Sequence, residues 1–383
     1  MSDKDVRAFP LSEMRTHRST KWRDFPSDVL PLPVAEMDFP VALPIRKVLI
    51  EMVEHSDLGY LGPIPEVGLA FADFAMKRWG WNVDPKQVHM VTDVGVGVVE
   101  LLRLFTQPGD RVLINSPIYH NFYTWINETH VTKVDVPFTQ ANGSWDLDLG
   151  AVEAAYRTGI KVHLLCNPHN PLGRVYSREE LLKIATLAKE HGVLVISDEI
   201  HAPLTYKEAT FVPFLSLGEI AEEVGVTVTA ASKGWNIAGL KCAMIITQGT
   251  AMSQRLEALP PAVHCRASLL GAFATATAFS EGTAWLDSML VNLDANRHFL
   301  KELLATKIPA IGYQIPECSY LAWLDVSALG LGENPTQTLL ERGKVAFNAG
   351  QTFSPHTSHF VRLNFATSQE LLVEAVERIL NAL

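Results

Sequence analysis

Cysteine is scarce in this chain. Four are present in 383 residues, Cys166, Cys242, Cys265 and Cys318, and none forms a C-x-x-C pair. That spacing offers no disulfide framework, and it makes reduced, buried thiols in a cytoplasmic protein the expectation. None of the thirteen histidines belongs to an H-E-x-x-H or similar ligand pair, so no metal site is expected. Uncharged apolar runs long enough to span a bilayer are missing. The stretch "MSDKDVRAFPLSEMRTHRS" is charged from its third residue, which argues against a secretory signal. A basic excess is missing as well. The formal net charge of −10 disfavours a nucleic-acid or anionic-membrane surface. Internal repeats and low-complexity tracts are absent.

The chain does carry enough apolar residues, 48% of the total, for a sizeable core, and its length exceeds one small domain. Residues 22–44 carry five prolines and read as extended and irregular, with apolar side chains that must pack against something. Helical patterns follow at 45–55, 65–79, 96–106, 120–128, 148–157 and 178–191. Strand patterns lie at 88–92, 111–115, 131–136, 161–166, 193–197, 226–230 and 241–247. This alternation predicts an α/β fold with a mostly parallel seven-stranded sheet between helices. A long helix over 283–305, the short strands "GYQIP", "YLAWLD", "KVAFN" and "FVRLNF", and a helix over 368–382 predict a smaller α+β domain. The expected division is an N-terminal segment, 1–45, packing with the small domain, a large domain, 46–284, and the small domain, 285–383.

In open α/β sheets ligands lie beyond the carboxyl ends of the strands, so the residues following each strand carry the argument. "VHMVT" is followed by Asp93-Val94-Gly95-Val96-Gly97, and "RVLIN" by Ser116-Pro117-Ile118-Tyr119. "VHLLC" leads into "NPHNP", "VLVIS" into Asp198-Glu199-Ile200-His201, and "TVTAA" into Ser232-Lys233. Singly these are ordinary features: a tight turn, a core lid, a proline turn, a helix N-cap, a lysine snorkelling to solvent. Together they are the parts that pyridoxal 5′-phosphate (PLP) requires. That cofactor needs a lysine for a Schiff base, an acid against its pyridine nitrogen, amides at a helix N-terminus for its phosphate, a flat group over the ring and a donor near the ring oxygen. Lys241 is placed to meet the phosphate as a point charge.

At these residues the chain resembles fold-type I PLP-dependent enzymes of aminotransferase class I/II, and within them the MalY/PatB-type cystathionine β-lyases, the C–S β-lyases. The resemblance runs over almost the whole length, through "KWRDFPSDVLPLPVAEMDFP", "LGYLGP", "LLCNPHNPLGRVY", "ISDEIHAPL", "SKGWNIAGLKCA", "SYLAWLD" and "FVRLNFA". It implies that Lys233 is the Schiff-base lysine and that Asp198 pairs with the ring nitrogen. It further implies that Asn170 bonds the ring oxygen beside His201, that Tyr119 stacks on the ring, and that Gly95, Val96, Ser232 and Lys241 hold the phosphate. Arg362 is implied to bind the substrate carboxylate, helped by Asn170 and Tyr119. Tyr60 is implied to reach the partner's site in a homodimer and, with Lys233, to serve catalysis. Three positions depart from the pattern: Ala230 replaces a hydroxyl residue, Pro33 a tryptophan and His120 a proline. The implied activity is β-elimination from L-cystathionine or a related S-substituted cysteine, giving a thiol, pyruvate and ammonia. An aminotransferase using the same residues is the alternative, and a PLP-binding regulatory protein a more distant one.

Overall fold

The computed structural model describes residues 6–141 and 144–383, so the first five residues of the expected N-terminal segment lie outside the described part. Seven short strands, rich in valine, isoleucine and leucine, form the central sheet. They are β1 (Val88–Val91), β2 (Arg111–Ile114), β3 (Thr132–Asp135), β4 (Ile160–Cys166), β5 (Leu194–Asp198), β6 (Gly225–Thr229) and β7 (Ala243–Ile246). Their spatial order is β1-β7-β6-β5-β4-β2-β3. The pairs from β6 through β3 are all parallel, and β7 runs antiparallel to both its neighbours. Strands β5 and β6 are buried along their whole length, as a sheet covered on both faces demands.

The helix expected at 178–191 spans Arg178–His191. It starts at a reciprocal capping box between Ser177 and Glu180 and stops at Gly192, whose φ of 67° is the left-handed conformation that favours glycine. Two expectations need correction. The strand expected over 241–247 begins only at Ala243. Lys241 and Cys242 belong to the turn before it, and Lys241 itself is left-handed at φ 55°. A thirteen-residue helix, Leu269–Glu281, was not anticipated. Its Ala-rich stretch is buried on nearly all sides, so the polar stripe by which an amphipathic helix is recognised is missing.

That helix matters to the site. Phe279 meets Phe71 and Phe74 of Pro65–Trp79 and the fully buried Trp235 at centroid distances of 5.1–5.2 Å. Trp235 Nε1 donates to Gly282 O at 2.9 Å. Burying an aromatic of this size contributes about 2–3 kcal/mol. Trp235 follows Lys233 by two residues, so this cluster fixes the turn that carries the lysine.

A second, antiparallel sheet of four strands has the order β8 (Gly312–Tyr313), β9 (Leu321–Asp325), β11 (Phe360–Asn364), β10 (Asn348–Ala349). The proline-rich segment lies beside it and pairs in a separate two-stranded sheet. Leu30–Pro31 pairs with Val345–Ala346, and Asn364 Nδ2 donates to the carbonyls of Val34 and Glu36 at 2.7 and 2.6 Å. Asn236, beyond the lysine, bonds both the N–H and the carbonyl of Met37 at 2.9 Å. Residues 33–37 therefore form a strap tied to the lysine turn on one side and to the small sheet on the other. Beneath it Lys21 and Asp38, both fully buried, pair at 2.6 Å. Among the described residues no helix is long and apolar enough to cross a membrane.

Candidate active site

A cavity of about 820 Å³ opens at the carboxyl ends of β1, β2, β4, β5 and β6. Ten of the eleven residues singled out from the sequence line it: Gly95, Val96, Tyr119, Asn170, Asp198, His201, Ser232, Lys233, Lys241 and Arg362. Tyr60 does not. It lies in an irregular stretch and is fully exposed.

Lys233 sits on a single helical turn, Ala231–Gly234, directly after β6. Its Nζ donates to the Ala35 carbonyl of the strap at 2.9 Å, and the buried Tyr320 hydroxyl donates to the same carbonyl at 3.0 Å. Burial first, then the positive charge of Arg362, pushes the Lys233 amine down to about 8 against the opposing pull of Glu36 and Asp198. Asp198, the last residue of β5, is buried and accepts one hydrogen bond, from Ile200 N–H at 3.1 Å. Burial raises its carboxyl to about 7, with the Ile200 bond and Lys233 pulling the other way. Among the described residues it has no ion-pair partner, so a buried acid lines the cavity with no cation in direct contact. His201 is buried with Nδ1 unpartnered. Burial, Lys233 and Arg362 together push it down to about 3, leaving a neutral imidazole.

Arg362 projects from the middle of β11. Nη1 donates to Asn170 Oδ1 at 3.0 Å, and Nη2 to Asn348 Oδ1 at 2.7 Å and the Pro33 carbonyl at 3.1 Å. Its Nε is buried and unpartnered, and the guanidinium lies 4.8 Å from the Phe353 ring centre. Burial lowers it to about 10. Asn170 is held by a loop that turns at Gly173, where φ is 64° and a Cβ would stand 2.3 Å from Pro316 Cβ. Tyr119 follows β2, and its hydroxyl accepts a hydrogen bond from Asn121 Nδ2 at 2.9 Å. Burial pushes the Tyr119 phenol up. Of the departures noted in the sequence, Pro33 contributes its carbonyl to Arg362. His120 is neutral, pushed down to about 4 by burial and Arg362, and Ala230 lines the wall without a hydroxyl.

At the other end of the cavity the helix Val94–Phe105 begins, and Asp93 caps it. A Cβ at Gly95 would stand 3.0 Å from Trp125 Nε1, tight enough that the indole would have to give by a few tenths of an ångström. The donor set matches a PLP-sized group: a lysine amine, an unpaired buried acid, a flat phenol, a neutral imidazole, and amides at a helix N-terminus with a lysine beside them. Sequence reasoning missed Asn348, Asn121 and the carbonyls of Pro33 and Ala35. It also left Asp93 as a turn residue, although its place before the helical pattern marked it as an N-cap.

The family model for aminotransferase class I and II matches residues 27–379. A cystathionine beta-lyase from Corynebacterium glutamicum is 36% identical over 98% of this chain and 100% of its own. A crystal structure from Corynebacterium diphtheriae superposes with a TM-score of 0.94 at 32% identity, covering 99% of both chains. Cystalysin from Treponema denticola, whose crystal structure contains a pyridoxal 5′-phosphate cofactor, superposes with a TM-score of 0.91 at 27% identity over 96% of each chain. Matched over nearly its whole length by this family and by these relatives, the chain belongs to the aminotransferase class I and II family.

Proposed function

We propose that the protein is a PLP-dependent C–S β-lyase that cleaves L-cystathionine or a related S-substituted cysteine to a thiol, pyruvate and ammonia. One observation carries the reading. Lys233, the buried Asp198 and the planar guanidinium of Arg362 line a single cavity in a chain whose relatives include a cystathionine beta-lyase. Bound PLP would supply an electron sink for the electrons left when the substrate loses its α-proton.

The chain's own residues supply the rest. Asp198 holds the proton on the ring nitrogen, because a buried acid with no cation in direct contact gains from a cationic partner. Arg362 takes the substrate carboxylate in two parallel bonds, as its planar fork suits. Asn170 and Asn348 orient that fork. Lys233, lowered to about 8, is basic enough to take the α-proton and close enough to neutral pH to be partly uncharged when it does so. The Cβ–S bond then breaks. The thiolate leaves with its electron pair and is protonated by Lys233, with Tyr60 of a neighbouring subunit assisting. One water consumed on hydrolysis of the released enamine gives pyruvate and ammonia.

The proposal keeps three parts, residues 1–45, 46–284 and 285–383, in a cytoplasmic homodimer. Four unpaired thiols fit the cytoplasm, although only Cys166, Cys242 and Cys318 are buried as expected and Cys265 is exposed. The exposed Tyr60, with Ile50, Val53 and Leu58 also exposed, fits a subunit contact. The test is product analysis with L-cystathionine and no added keto acid. Equal amounts of pyruvate, ammonia and homocysteine are expected. Turnover that depends on an added keto acid and releases no thiol would replace the lyase with an aminotransferase.

A further inference from the structure

At the end of the cavity given to the phosphate stands an acid that the proposed function leaves without a role. Asp93 Oδ1 accepts the Val96 N–H at 2.8 Å, and Oδ2 accepts Lys241 Nζ at 3.0 Å. Val96 and Lys241 are two of the groups assigned to the cofactor's phosphate. Asp93 therefore already holds donors that the phosphate needs. The contact is reachable from the cavity, with the two side chains 39% and 56% exposed.

The surrounding charges do not cancel this. Arg103 lines the same mouth but is held by Glu100 at 2.5 Å and Glu128 at 3.4 Å. Lys233 and Asp198 belong to the ring end of the cavity. Arg266, after the short helix Pro261–Cys265, also lines the mouth and has no ion pair or hydrogen bond among the described residues. Ala230 brings no hydroxyl.

We infer that Asp93 competes with the cofactor's phosphate for Lys241, so that the chain binds PLP less tightly than its donors alone allow. The inference rests on the PLP reading. A phosphate monoester carries nearly two negative charges at neutral pH. Seating it here places those charges beside a carboxylate, and either Lys241 leaves Asp93 or it is shared between them. Arg266 is the cation left to meet the phosphate. Charge and cap are separable at this position, because asparagine and serine start a helix about as well as aspartate. Competition is thus a property of the carboxylate and not of the turn.

The test titrates the full chain, freed of cofactor, with PLP and with pyridoxal, which lacks the phosphate. Asp93→Asn and Asp93→Ser both keep a cap, so a folding defect in one leaves the other. Both variants should bind PLP roughly five- to fiftyfold more tightly than wild type, from relief of one screened like-charge contact. Pyridoxal affinity should not change. Unchanged or weaker PLP binding in the variants, or equal tightening of pyridoxal, overturns the inference. A wild-type chain that takes up neither compound sinks the PLP reading, and this inference with it. That pattern is distinct from a wild type that binds PLP and variants that bind it no better.

Discussion

Replacing Arg362 by lysine keeps the positive charge and removes the fork. Arg362 makes three hydrogen bonds, to Asn170, Asn348 and the Pro33 carbonyl, from two nitrogens whose spacing is fixed by the planar guanidinium. A lysine amine is a point charge on a flexible stem and cannot hold two parallel bonds to a carboxylate while also keeping those partners in place. Hydrogen bonds to charged groups are worth about 1.5–3 kcal/mol each, so losing about two costs roughly 3–6 kcal/mol of transition-state stabilisation. At 1.4 kcal/mol per tenfold, kcat/KM for L-cystathionine should fall roughly a hundred- to twenty-thousandfold. The assay is steady-state thiol release alongside the visible absorbance of the protein. That absorbance should persist, since Arg362 is at the carboxylate end and Lys233 is untouched. A purely structural arginine would give a different result: a lowered Tm with kcat/KM intact in the protein that remains folded. That outcome would show that another group binds the carboxylate and would refute the reasoning.

Lys233→Ala should lose the yellow colour that the wild type gains on incubation with PLP, and a wild type that stays colourless would remove the cofactor reading. Lys21→Met breaks the fully buried pair with Asp38 and strands a carboxylate beneath the strap, so unfolding free energy should fall by about 3–5 kcal/mol in denaturant titration. An unchanged midpoint would mean that the pair contributes nothing. Glu199 is buried and raised by burial from 4.5 to about 8 despite bonds from Phe214 N–H, Ser197 and Asn167. It binds its proton more tightly folded than unfolded, so its contribution is complete below pH 4.5 and fades as pH rises through about 8. Glu199→Gln should flatten the loss of Tm between pH 6 and 8.5; an identical slope would show that Glu199 does not set it. Mixing Tyr60→Phe with Lys233→Ala chains should yield hybrid dimers with one near-intact site, whereas full activity from a monomeric wild type would exclude a shared site.

The strand ends were legible in the sequence because two simple rules meet there. Period-two and all-apolar runs mark the strands, and a ligand must lie where those strands stop. Lys233, Asp198, Asn170, Tyr119 and the Gly95 turn all follow from that. The helix Leu269–Glu281 did not, since an alanine-rich helix buried on nearly every side carries no amphipathic signature. Asn348 is a different kind of miss. It faces Arg362 because β10 and β11 pair antiparallel with Asn348 opposite Arg362, and fourteen residues of spacing do not announce that register. The least legible feature is the strap. Arg362 bonds the carbonyl of Pro33 and Lys233 bonds the carbonyl of Ala35, so residues two apart in one short, bent segment hold the groups proposed for carboxylate binding and proton transfer. Backbone carbonyls are the same at every position, so no residue type marks them. What the sequence did carry was Asn236 and Asn364, the side chains that stitch the strap to the lysine turn and to the small sheet. Arg362 and Lys233 thus draw backbone acceptors from the same short strap.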